Sequence, residues 1–263
     1  MTGHELGEKL PEDFLATCFR IPHDASPRWL LMLTAYVDET GQEQDDWMFV
    51  AGYYGNDASW KRVAEEWPKA IGPQRKHLHM KELRFKRESE RQMLERAALV
   101  PKRCGLVPIL GGVRRNDYRE RFRGTPEDKL LNGYVVSLWA MLADTLANLP
   151  EGERLEIVFE HQPSFEHYAQ AAIGVFVTFD DPALYLPNGI PKLAGWRWVP
   201  KESTSLLEPA DYLCYALAKY HKDRESERYR WVRPIMDAQA GEGFGRIMTP
   251  DAAHKAFLGK MDY

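Results

Sequence analysis

The chain has 263 residues, of which 44% are hydrophobic and 28% charged, and its net charge is −4. Such a composition excludes a disordered or low-complexity protein, and the length allows one large domain with its own core. The apolar runs fall short of the roughly 18 residues a membrane helix needs, and the net acidity gives no global positive field to draw in nucleic acid.

The first residues, MTGHELGEKLPEDF, are acidic and lack the basic-then-apolar layout of a signal peptide. Cys18, Cys104 and Cys214 are odd in number and widely spaced, which suits neither a disulfide framework nor a zinc site. A cytoplasmic protein with ordinary thiols is expected.

Residues 1–30 carry no clear period and read as an N-terminal arm with one short helix over 12–19. A nearly all-apolar strand follows at 31–37, of the kind that lies centrally in a sheet. It stops at Asp38 and Glu39, before Thr40 and Gly41; a plain polar turn would look the same. WMFVAGYY at 47–54 is the second strand, joined to the first as a hairpin with a longish loop. Ser59 reads as the cap of a helix through Trp67. QRKHLHMKELRFK, from Gln74, then sets His77 and His79 two residues apart, on one face of an extended segment.

Residues 88–100 read as a helix and 105–114 as a third strand, with Pro108 and the Gly111–Gly112 pair suggesting an edge or a bulge. Thr125-Pro126-Glu127 starts a largely buried helix predicted to run to 148. RLEIVFE at 154–160 is a fourth strand, again ending on an acid, Glu160. A helix over 164–176, a loop rich in Pro and Gly, a short fifth strand at 196–199 and an amphipathic helix at 206–221 carrying Asp211 complete the main body. The remainder, 223–263, reads as an extension packed on the same domain.

The order β-β-(helical insertion)-β-α-β-α-β-α is that of the ribonuclease H fold, giving an α/β fold class with a mixed five-stranded sheet flanked by helices over 31–222. By analogy with that fold, Asp38, Glu160 and Asp211 converge. Clustered carboxylates cannot all stay ionised without a cation, and magnesium or manganese prefers carboxylate oxygens.

Three stretches, YVDETG, HMKEL and EPADYLCYALAKY, in that order across residues 33–220, resemble the domain-of-unknown-function family 3800. Its members open with a YxDESG-like strand, carry a histidine motif after the second strand and close with an A-D-Y helix. The family is placed in the ribonuclease H-like group and is often associated with mobile elements and phage-related loci. The resemblance implies a nuclease or phosphodiesterase that uses Mg2+ or Mn2+ held by Asp38, Glu160 and Asp211 and acts on DNA or RNA. His79 and Lys81 would then orient a phosphate. The chain departs from the family in having Glu160 where an aspartate is common. A fourth acid facing the site is also missing; Glu82, Glu127 and Asp128 are the candidates for it.

Two runs, 113–123 and 219–233, mix arginine with aromatic residues in the manner of single-strand binders, although their acids suit solvated helix faces equally. No phosphate-binding glycine loop, nucleophile elbow or HExxH helix is present in the sequence. Two other functions stay open: a catalytically inactive binding module, and a phosphohydrolase of small nucleotides.

Overall fold

Strand β1 (Leu31–Thr40) runs through the middle of a mixed six-stranded sheet. The computed structural model describes residues 31–40, 45–125, 132–177, 181–239 and 243–257. The other strands are β2 (Trp47–Gly55), β3 (Val107–Arg114), β4 (Glu153–Glu160), β5 (Leu193–Val199) and β6 (Phe244–Met248). Across the sheet their order is β5-β4-β1-β2-β3-β6. β1 pairs antiparallel with β2 and parallel with β4, β2 pairs antiparallel with β3, and β4–β5 and β3–β6 are parallel. The chain is therefore an α/β fold with helices on both sheet faces.

Alternation along the strands decides which face each side chain joins. Leu33, Ala35 and Val37 of β1 pack with Leu155, Ile157 and Phe159 of β4 under helix α5 (Gly133–Ala147) and helix α6 (Pro163–Val177). On the opposite face Phe49, Ala51 and Tyr53 of β2 meet α1 (Asp57–Ile71), α2 (Glu88–Ala98), α7 (Glu208–Asp223) and α8 (Glu227–Ala238). Three shorter helices, α3 (Val100–Arg103), α4 (Arg115–Phe122) and α9 (Pro250–Phe257), complete the set. Helices α1 to α3 stand between β2 and β3 in the chain. Among the described residues no helix is long and apolar enough to cross a membrane.

The structure corrects the sequence reading in four places. The sheet has six strands, not five: Phe244–Met248 pairs with residues 109–113 of β3. Its five residues include Gly245 and Arg246, and Ile247 is exposed, so it carries no apolar run to reveal it. Second, β1 does not stop at Val37, because β2 continues the antiparallel ladder through Asp38, Glu39 and Thr40. Third, the long helix begins at Gly133, where the Asn132 side chain accepts a hydrogen bond from the Val135 N–H. The start expected at Pro126 and the candidate acids Glu127 and Asp128 lie outside the described residues, as does the short helix expected over 12–19.

Finally, β3 is neither an edge nor bulged; it lies between β2 and β6. Its glycines serve close packing instead. A Cβ at Gly111 would stand 1.9 Å from the Ser137 carbonyl oxygen of α5. Gly111→Ala is expected to lower stability by about 2 kcal/mol through overpacking, read as a fall in the urea midpoint. Gly195→Ala, whose Cβ would meet nothing within 4 Å, should leave that midpoint in place.

Candidate functional site

The parallel pairing of β1 with β4 ends at Val37 opposite Phe159. The next residues are Asp38 and Glu160, so two carboxylates stand side by side at the C-terminal ends of neighbouring parallel strands. Beyond that point the strands keep only their outer partners, Asp38 pairing with Ala51 and Glu160 with Val199. Such ends of parallel strands are where open α/β sheets hold ligands. Both acids alternate away from Val37 and Phe159, toward the face covered by α7.

Asp38 is only 4% exposed. Its Oδ1 accepts the Glu39 N–H at 2.8 Å, and its carbonyl oxygen accepts the Cys214 thiol at 3.1 Å. Helix α7 thus docks directly on β1 beside the acid, and Asp211 lies one turn before Cys214. Burial first, then the nearby Asp38 and Glu39 carboxylates, push the Cys214 thiol well above its usual pKa. Burial, followed by Glu39 and Asp38, does the same to the Tyr134 phenol on the other face. Both groups are held protonated next to the acids, which leaves neither a thiolate nor a phenolate as nucleophile.

The first turn of α7 also holds the histidine segment. Glu208 and Asp211 are three residues apart, hence on one helix face, and each receives a histidine ring and the following backbone N–H. His77 Nδ1 lies 3.2 Å from Glu208 Oε1, and the Leu78 N–H donates to Oε2 at 2.9 Å. His79 Nδ1 lies 2.8 Å from Asp211 Oδ2, which also accepts the Met80 N–H at 3.1 Å. The Trp67 indole adds a third donor to Glu208, at 2.7 Å. Burial pushes the Glu208 carboxyl above its usual pKa, against the pull of these donors.

Sequence reasoning places Glu208 inside the helix expected at 206–221 and misses this role. The legible signal is the match between H-x-H at 77–79 and E-x-x-D at 208–211. An extended segment repeating every two residues can dock two side chains on one helical turn.

Asp38, Glu160, Asp211, His79 and Lys81, the five residues singled out in the sequence, all line one open cleft of about 1310 Å³. Glu39, Asp45 and Asp46 add acids to it; Lys219, Lys222 and Arg228 add cations. Glu82 does not line it and is exposed on the 3-10 turn Met80–Glu82. The acids supply oxygen donors of the kind a hard divalent cation takes. They are not gathered into a preformed cage: among the described residues no group of three His, Cys, Asp or Glu side chains is close enough to hold a metal ion. The donor set fits such an ion in chemistry, and the cleft would have to draw the carboxylates together around it.

Compared with protein-family models, with curated proteins and with solved structures, the chain finds no match in any of the three.

Proposed function

We propose that the chain is a divalent-metal-dependent nuclease or phosphodiesterase of ribonuclease H-like architecture, in keeping with its resemblance to the domain-of-unknown-function family 3800. One observation carries the reading. Asp38 and Glu160 are register neighbours at the ends of parallel strands, and Asp211 lines the same cleft from the facing helix. The strand order β5-β4-β1-β2-β3, with β6 added at one edge, supports the fold assignment.

On this reading Asp38, Glu160 and Asp211 hold Mg2+ or Mn2+. The bound ion supplies water activation and stabilises charge on a departing phosphate oxygen. The chain's own contribution is placement. Asp211 fixes the His79 ring at Nδ1, and His79 and Lys81 orient a phosphate of DNA or RNA above the acids. The buried floor around Asp38 limits water at the strand ends.

A second reading, a binding module without catalysis, is favoured by the lack of three gathered metal-ligating side chains among the described residues. Calorimetric titration with manganese at neutral pH separates the two. Wild type is expected to bind manganese and Asp38→Asn to lose that binding. Absence of binding heat in both proteins would replace the nuclease with the binding module.

A further inference from the structure

We infer that the cationic wall of the cleft, built by Lys219 and Arg228 with Lys81, takes the phosphate backbone of a single-stranded nucleic acid. This names the substrate class of the proposed nuclease and rests on that reading for its catalytic meaning. The binding surface itself is argued from its own residues.

Helix α7 sets Asp211, Tyr215, Ala218, Lys219 and Lys222 along one stripe, and all five line the cleft. Their spacing of four, three, one and three residues is that of a single helix face. The stripe begins at an acid and ends in cations, so a chain lying along α7 would pass from the carboxylate floor onto positive charge. Arg228, in the first turn of α8, returns to the same wall. Of the two arginine-aromatic runs in the sequence, this is the one that reaches the cleft. Helix α4, which carries the other, contributes no residue to it.

Three of the four cleft cations lack the partners that usually neutralise surface charge. Lys222 is paired with Asp45 at 3.1 Å. Among the described residues, Lys81, Lys219 and Arg228 form no ion pair with a carboxylate. Lys219 is instead half-buried, its ammonium 5.1 Å from the centre of the Tyr215 ring. Burial first, then Arg228 and Lys222, draw its pKa below the usual lysine value, against the opposite pull of Asp45 and Asp223. Lys81, Lys222 and Arg228 are exposed, so Lys219 alone holds its charge in a half-buried setting, and an anion laid across the wall would offset it.

Size and apolar lining decide which anion. The cleft's roughly 1310 Å³ exceeds the span of about 300–1,000 Å³ typical of small-ligand pockets, which favours a polymer over a mononucleotide. Trp47, Phe165 and Tyr215 line it as half-buried aromatics. Aromatic surface beside a cationic track suits a strand whose bases are unpaired; a duplex keeps its bases stacked inside.

The test is fluorescence anisotropy with a labelled twelve-residue oligothymidylate, in EDTA and again in magnesium on an Asp38→Asn background. The double variant Lys219→Gln/Arg228→Gln is expected to bind about tenfold more weakly. Its log K against log salt should flatten by about 1.4, two phosphate contacts at roughly 0.7 each. Lys219→Arg/Arg228→Lys should restore binding, and Lys69→Gln, an exposed lysine on α1, should change nothing; thermal melting checks that each variant is folded. No oligothymidylate binding in either buffer, an unchanged affinity in the folded double variant, or equal competition by duplex or by thymidine monophosphate would each overturn the inference. Wall-dependent binding without manganese binding would keep this inference and remove the nuclease. Manganese binding lost in Asp38→Asn, without oligonucleotide binding, would do the reverse.

Discussion

Asp38→Ala is expected to abolish phosphodiester cleavage, with a loss of at least about a thousandfold in rate, while the protein remains folded. A thousandfold loss corresponds to roughly 4 kcal/mol of transition-state stabilisation, a reasonable share for one ligand of an ion that carries the chemistry. The backbone argument explains why the fold should survive. Asp38 is held by antiparallel pairing to Ala51 and by the Cys214 thiol on its carbonyl oxygen, and neither contact uses the carboxylate. Among its contacts, alanine removes the acceptor for the Glu39 N–H, a local bond between adjacent residues. Cleavage of a labelled oligonucleotide in magnesium and in manganese, with thermal melting of the same samples, checks both halves. Retained cleavage by a folded Asp38→Ala protein would remove the strand-end acid from the mechanism.

Much of this site can be read in one dimension, and the reason is physical. An acid that ends an apolar strand is costly to bury unpaired, so DETG and VFEHQ stand out against the runs that precede them. Asp211 stands out because it lies among apolar neighbours on a buried helix. What the sequence conceals are contacts whose two halves lie far apart. Glu208 looks like an ordinary first-turn acid until His77 and Leu78 dock on it across about 130 positions. The Gly111–Gly112 pair looks like a bulge until α5 is seen lying on it. Strand β6 is hidden because an exposed edge strand needs no continuous apolar run. The cationic run at 219–233 reads as a solvated face, since only the fold shows that Lys219, Lys222 and Arg228 turn into the cleft while Arg224, Arg230 and Arg233 do not line it.

Replacement of Glu208 should have the largest effect on stability, and its sign should depend on what replaces it. Trp67 is fully buried, Glu208 is 3% exposed, and the carboxylate accepts the Trp67 indole and the Leu78 N–H on one oxygen. Glu208→Ala leaves both donors buried without that acceptor, each costing about 1–3 kcal/mol, for a total of about 3–5 kcal/mol together with the lost packing. Glu208→Gln keeps an oxygen acceptor at the same place and removes the charge whose burial raises the pKa. A carboxyl raised in the folded state contributes its stability fully below the unfolded value, near about 4.3, and loses it as pH rises through the folded value. Wild type and Glu208→Gln should therefore be about equally stable near pH 4. The glutamine variant should gain on wild type as pH rises, until the folded-state pKa has been passed. Urea unfolding of the three proteins from about pH 4 to 7 measures this. A glutamine advantage that shrinks with rising pH would mean that the hydrogen bonds from Trp67, Leu78 and His77 outweigh the burial of Glu208. The staple between the histidine segment and α7 would then be held by charge.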